Sequence, residues 1–194
     1  MSDLPDEDLM RATAAGDDGA FAALVRRHQD RVYGTVYKML GAHQSEAEDV
    51  AQQVFIRVHR AAARYRPEAK FTTWLMTICR NCVFTQLKKS RRHPSVPLDP
   101  VGPDGEEIES PLPDPEARSA DQMLQEKEMR RTLETAMAEL PELQRSALVL
   151  RQYEQLDYEE IARVLQTTVP AVKSLLFRAR DMLRQRLQDY LRET

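Results

Sequence analysis

Near the C-terminal end of the chain, Lys173, Ser174, Phe177 and Arg178 recur at intervals that gather them on one side of a helix turning about 100° per residue. Val172, Leu175, Leu176, Ala179 and Leu183 fall on the other side and are expected to pack inward. Two cations, a hydroxyl and an aromatic ring with no core to enter suit the major groove of duplex DNA. The cations reach base edges or phosphates, the hydroxyl bonds beside them, and the ring lies against a thymine methyl. The same face also suits a solvated basic helix carrying one stray ring, since single exposed apolar residues are ordinary.

A second group lies a hundred residues earlier. Thr73, Thr77, Arg80, Asn81, Phe84 and Lys88 share the side of a helix opposite Leu75, Ile78, Cys79, Cys82 and Val83, and Lys88-Lys89-Ser90-Arg91-Arg92 closes that helix. The segment Tyr65…Phe71-Thr72-Thr73-Trp74 stands in front of it. Polar groups, rings and cations on one face hold single-stranded nucleic acid by stacking and phosphate contact. For Trp74 and Phe71 the competing assignment is the core, and for Trp74 the core is the favoured one. Cys79-Arg80-Asn81-Cys82 has the outline of a redox or zinc motif, but both sulfurs fall in the apolar stripe and zinc takes four ligands, so buried structural thiols are expected. His28, His43, His59 and His93 show no ligand spacing, and no phosphate loop or nucleophile elbow occurs. No enzyme site, cofactor or metal is expected.

The elements that must position these faces are helices. Good helix formers dominate, only 6 of 194 residues are glycine, and no alternating strand-like runs appear, so an all-α fold is expected. Phe21, Leu24, Val25, His28, Val32, Val36 and Met39 or Leu40 make one stripe that Gly41 ends. Ala47, Val50, Ala51, Val54, Phe55 and Val58 make a second, with Ser45 as its expected N-cap. Three stripes can close into a small bundle. Farther on, one helix is expected over residues 121–140, Pro141 opens the next and Asp157 a third. Tyr158, Ile161, Ala162 and Leu165 form a short apolar face, Gln166-Thr167-Thr168 a turn, and Val169-Pro170 the start of the long basic helix. Proline in the first turn breaks no hydrogen bond and Thr168 is placed to cap it. Short helix, tight turn and longer basic helix form a helix-turn-helix.

Seven of the eleven prolines fall between Pro94 and Pro115, in a stretch poor in large apolar residues. It reads as an acidic, flexible linker over residues 93–120 between domains at 1–92 and 121–194. The net charge of −3 conceals its distribution. Residues 1–20 carry six acids against Arg11, and residues 93–126 carry nine against Arg118. The remaining residues therefore sum to +10, which suits a polyanion. The acidic N-terminal stretch reads as a tail without a secretory signal, no apolar run approaches membrane-spanning length, and two cysteines make no disulfide framework, so a cytoplasmic protein without membrane insertion is expected.

Taken together the fragments resemble the extracytoplasmic-function group of sigma-70 factors over nearly the whole chain. Ala47-Glu48-Asp49-Val50-Ala51-Gln52-Gln53-Val54-Phe55 is similar to the segment that binds core RNA polymerase, which implies contacts by Asp49, Gln52, Gln53 and Phe55. Phe71-Thr72-Thr73-Trp74-Leu75 with Ile78 and Arg80-Asn81 resembles the minus-10 segment, implying promoter contacts by Phe71, Trp74, Arg80, Asn81 and Lys88, with an extruded base held at Asn81. Leu140-Pro141, Gln144-Arg145, Tyr158-Glu159-Glu160-Ile161-Ala162 and Val172-Lys173-Ser174 with Arg178-Ala179-Arg180 resemble the minus-35 domain, implying recognition by Lys173, Ser174, Phe177 and Arg178. The partners so implied are core RNA polymerase, promoter DNA and an anti-sigma factor.

Gln53, Thr85, Gln166 and Leu175 depart from the family pattern. Gln166 stands where a turn glycine is frequent, so a glutamine is expected in a left-handed conformation at a cost on the order of 1 kcal/mol. A different reading makes the chain a repressor or activator whose first domain senses a ligand or dimerises, but three short stripes imply no deep apolar pocket. An adaptor without a nucleic-acid role leaves both cationic faces unexplained. The acidic tail and linker lead us to expect weak DNA binding by the free chain.

Overall fold

The computed structural model describes residues 4–92 and 120–193, with side chains over 4–92 and 127–188. All regular elements among the described residues are helical: α1 (Asp6–Ala14), α2 (Asp18–Leu40), α3 (Ala47–Ala61) and α4 (Phe71–Arg92), then α5 (Ala120–Glu139), α6 (Glu142–Gln152), α7 (Tyr158–Leu165) and α8 (Val169–Glu193). Except for Ala120, the linker expected over 93–120 lies outside the described residues.

The three predicted stripes of the first half close on one another. Leu24, Val32, Val36 and Met39 of α2, Val50, Val54 and Val58 of α3, and Leu75, Met76, Cys79 and Val83 of α4 are buried together. Two local readings need correction. The acidic N-terminal stretch is no tail from Asp6 onward: it forms α1, whose Leu9, Met10 and Thr13 are buried. The Asp6 carboxylate accepts from Arg27 at 2.6 Å and lies 3.0 Å from Nε2 of His28, fastening α1 to α2. Acids in a first helical turn complement its positive end, which is where Asp6, Glu7 and Asp8 sit. Ser45 does not cap α3; it lies in a 3-10 turn over Gly41–Glu46, and Glu46 precedes α3 without a side-chain cap. Asp17, in contrast, caps α2 by accepting from the Ala20 amide at 3.0 Å.

The second half packs Leu148, Val149 and Leu150 of α6, Ile161, Val164 and Leu165 of α7, and Val172, Leu176 and Ala179 of α8 into the same continuous core. Asp157 and Glu160 form a reciprocal capping box at the start of α7.

Rather than lying apart, the two halves dock, α6 against α2 and α7 against α4. Beside the shared apolar core, the seam between them carries polar contacts. Glu154, 7% exposed, accepts from Arg31 at 2.5 Å and from the Thr35 hydroxyl. Glu160, 5% exposed, accepts from Thr73 at 3.0 Å and pairs with Lys70 at 3.1 Å. Arg91 pairs with Glu142. Arg145, 4% exposed, donates to the carbonyls of Met39, Ala138 and Leu140 at 2.9, 3.0 and 2.7 Å. It thereby joins the end of α2 to the end of α5. Gly41, at φ 61° and ψ −115°, leaves the space that this guanidinium fills.

Candidate nucleic-acid interface

The chain enters α8 through a turn whose parts are each accounted for. Gln166 ends α7 at φ 54° and ψ 51°, the left-handed conformation expected for it. The Thr167 amide donates back to the Ala162 carbonyl at 2.9 Å, and the Thr168 hydroxyl accepts from the Ala171 amide at 3.4 Å. Pro170 sits in the first turn of α8 as anticipated. Val172, Leu176 and Ala179 are buried, Leu175 and Leu183 half-buried, and Lys173, Ser174, Phe177 and Arg178 exposed. The Phe177 ring is 72% exposed.

Beside this ring lies a cleft of about 390 Å³ lined by Tyr158, Lys173, Leu176, Phe177, Arg180, Asp181 and Arg184. Tyr158 and Arg180 were not singled out from the sequence for this face. Tyr158 was counted with the apolar stripe of its own helix, yet its ring lies 5.8 Å from the Lys173 ammonium and 5.2 Å from the Arg151 guanidinium. A tyrosine at the edge of a stripe beside a basic helix is the signal that could have revealed it.

The α4 face is assembled differently from expectation. Phe71, 4% exposed, is a core ring, with centroids of His28, Trp74 and Tyr65 at 5.2, 5.6 and 6.0 Å. Trp74 is half-buried and meets Tyr65 edge-on at 4.9 Å, in keeping with the core reading favoured for it. Neither ring stands free as a stacking platform in this conformation. Thr73, expected on the exposed side, is 3% exposed and held by Glu160. Arg80 donates to Asn81 Oδ1 at 2.8 Å and to the Leu165 carbonyl at 3.0 Å, reaches Gln166 Oε1 at 3.4 Å, and stacks 4.7 Å from the centroid of Phe84. Only Lys88 of the five expected minus-10 contacts is exposed.

On α3, Asp49, Gln52 and Gln53 form an exposed stripe at helical spacing, whereas Phe55 faces sideways and is half-buried against the core. The next turn of the stripe is Ile56, 39% exposed. Sequence reading passed over it because an isoleucine near a core stripe is assigned inward by default. Apolar side chains exposed in line with polar ones suit a protein partner better than a nucleic acid.

The Cys79 and Cys82 thiols are free and buried, as expected. Burial pushes both upward in pKa, Cys79 more strongly, so neither offers a thiolate at neutral pH. An aromatic disulfide reagent should therefore react with neither in the native chain and with both after unfolding, as followed by its chromophore; prompt native reaction would show the helix face to be open. No cluster of three metal-ligating side chains occurs among the described residues, and no helix among them is long and apolar enough to cross a membrane.

Residues 24–93 match the family Sigma-70 region 2 and residues 130–183 match Sigma-70, region 4. The chain is 35% identical over 189 residues to the RNA polymerase sigma-H factor of Pseudomonas aeruginosa, spanning 97% of this chain and 96% of that one. It is 32% identical over 190 residues to the ECF RNA polymerase sigma-E factor of Escherichia coli K12, spanning 97% of each. In fold it is similar to CnrH in complex with the cytosolic domain of CnrY, with a TM-score of 0.64 at 22% identity over 95% of this chain and 97% of that one. It is also similar to the sigma factor RpoE of Bartonella quintana in complex with the anti-sigma factor NepR, with a TM-score of 0.62 at 22% identity over 87% and 96%.

Proposed function

Since the chain belongs to the extracytoplasmic-function group of sigma-70 factors, it binds core RNA polymerase and directs promoter-specific initiation, and we propose which of its residues perform each step. Residues 1–92 form the polymerase-binding and minus-10 domain and residues 121–194 the minus-35 domain. Asp49, Gln52 and Gln53 contact the polymerase, with Ile56 as an apolar anchor and Phe55 holding the stripe in place from behind. Arg80, Asn81 and Lys88 hold the melted minus-10 strand, while Phe71 and Trp74 support the loop in front of them. Lys173, Ser174, Phe177 and Arg178 read the minus-35 duplex, joined by Arg180 and Arg184 on the phosphates.

The observation that carries this assignment is Phe177. It stands 72% exposed between Lys173 and Arg178 on a helix whose opposite face is buried. The protein works by recognition and contributes no bond-breaking chemistry, acting in the cytoplasm where its polymerase is. An anti-sigma factor controls it in our reading, supported by the similar fold of the Bartonella quintana sigma factor RpoE, which was solved with the anti-sigma factor NepR. Run-off transcription with purified core polymerase should yield a promoter-specific transcript only when the chain is added. A transcript that does not depend on the chain would overturn the proposal.

A further inference from the structure

Between the 3-10 turn Ala62–Arg64 and the start of α4 runs the loop Tyr65–Lys70, the segment that stands in front of the minus-10 face. Among the described residues its backbone bonds are local: Tyr65 to Ala62 at 3.2 Å, Glu68 to Arg66 at 2.8 Å and Trp74 to Lys70 at 3.2 Å. Arg66, Pro67, Glu68 and Lys70 are exposed. What aims the loop is a set of rings. Tyr65 opens it and Phe71 follows it, their centroids 6.0 Å apart, and Trp74 meets both. Behind Phe71, at 5.2 Å, lies the imidazole of His28, which is 5% exposed. Its Nε2 donates to Asp6 Oδ2 at 3.0 Å, since a carboxylate only accepts, and the other oxygen of Asp6 takes Arg27 at 2.6 Å. Helix α1, which Asp6 opens, also packs against the 3-10 turn before the loop. One short helix thus backs both ends of the loop. In keeping with this, the Tyr65 phenol is raised in pKa by burial first and then by the charges of Glu7 and Asp6.

A polar ring is a costly way to fill a core position, because it must be given a partner that a leucine would not need. In return, an imidazole bonded to a carboxylate has one fixed orientation. We infer that His28, aimed by Asp6, is a positioning residue for promoter melting: it fixes Phe71 and with it the loop Tyr65–Lys70, so that Arg66 and the loop backbone meet the strand whose extruded base Asn81 holds. This rests on the assignment of the α4 face to the minus-10 strand. His28 itself, buried behind Phe71, touches no DNA. Phe71 opens α4 ten residues before Asn81, about 15 Å along the helix axis. A shift of the loop there displaces the strand and leaves the polymerase-binding stripe of α3 where it was.

Permanganate footprinting of a duplex promoter bound by the full chain with core polymerase reads strand opening, and fluorescence anisotropy of the labelled chain reads polymerase binding. His28→Ala and Asp6→Ala should each lower the reactivity of unpaired thymines about tenfold at equal polymerase occupancy, and together no further, because the two act as one unit. Asp6→Asn, whose amide oxygen still accepts from Nε2, should keep most of the parent reactivity. Val36→Ala, a truncation in the core of the same helix as His28, should lower the thermal midpoint and leave the footprint intact. If His28→Ala fails to fold, Asp6→Ala, at the half-buried start of α1, carries the same test. Parent reactivity in Asp6→Ala, additive losses in the double variant, or an equal loss in Val36→Ala or Asp6→Asn overturns the positioning role. Asn81→Glu separates the two readings. A lost footprint there beside a parent footprint in Asp6→Ala removes only the positioning residue, whereas parent footprints in both remove the α4 assignment as well.

Discussion

Arg178→Glu combined with Asn81→Glu should lower promoter-specific run-off transcription at least about 100-fold, each lost contact being worth on the order of 1–3 kcal/mol and each new carboxylate repelling phosphate besides. Arg178 is exposed on α8 and Asn81 half-buried on α4, and neither is part of a packed core. The helical circular dichroism and the thermal midpoint should therefore stay close to those of the parent. Binding to core polymerase should also persist, because the Asp49, Gln52, Gln53 and Ile56 stripe lies on a different helix. The singles divide the effect: Arg178→Glu should weaken promoters in proportion to their dependence on the upstream element, and Asn81→Glu should act at strand opening, visible as lost permanganate reactivity of unpaired thymines. Unchanged transcription from the double variant would mean that neither helix face meets the promoter.

The second large effect is on stability. Gly41→Ala should lower the unfolding free energy by about 3–5 kcal/mol, combining backbone strain with the loss of charged hydrogen bonds. At φ 61° and ψ −115° the backbone is one that a side chain strains, and a Cβ there would stand 2.7 Å from Cζ of Arg145, 2.8 Å from Nη1 and 3.0 Å from Nε. A guanidinium is ordinarily able to swing aside. This one is buried and bonded to three carbonyls, so moving it strips partners from all three. Against a total of about 5–15 kcal/mol for a typical domain this is a large fraction. Urea denaturation followed by circular dichroism measures it, and Arg145→Met in the Gly41→Ala background should recover part of the loss. A Gly41→Ala chain as stable as the parent would show that the Arg145 clasp is not as tight as drawn.

What the sequence made legible was whatever obeys apolar periodicity. The inward side of α8, the stripes of α2, α3 and α4, and the burial of Cys79 and Cys82 follow from the spacing of apolar residues, and the structure realises each. Gln166 was legible for another reason: a turn of fixed geometry between two helices demands a left-handed residue whatever its type. The misses share one cause. Helix α1 has only nine residues, and its acids, read as a solvated run, are instead placed at its positive end with Asp6 bonded to α2. The seam was invisible because Glu154, Glu160 and Arg145 look like any other polar residue in sequence. Nothing in a period of 3.6 distinguishes a carboxylate buried against a partner from one in water. Thr73 was therefore assigned to an open face that the second half covers, whereas Phe71 is buried by the first half's own His28, Tyr65 and Trp74 rings.

The charge on the seam also sets its response to acid. Burial by itself would raise the Glu160 carboxyl, but the Asp157 amide, Lys70 and Thr73 donate to it and together hold it below the ordinary glutamate range. A carboxyl depressed by folding stabilises the folded state above its unfolded pKa, and that contribution fades as pH falls through the depressed value. At neutral pH the Glu160 contacts are accordingly at full strength.

Across the seam, bonded residues lie far apart along the chain: 86 positions between Arg80 and Gln166, 87 between Thr73 and Glu160, 106 between Met39 and Arg145, 123 between Arg31 and Glu154. A ribosome builds from the N-terminus, and at rates of about 5–20 residues per second the roughly 100 residues that follow α4 take on the order of 5–20 seconds to appear. Throughout that interval the first bundle already has its own interior while the groups destined to cover α4 have yet to be made. Each newborn molecule thus passes through a brief youth in which its α4 face is bare, and its two halves dock only when synthesis is complete.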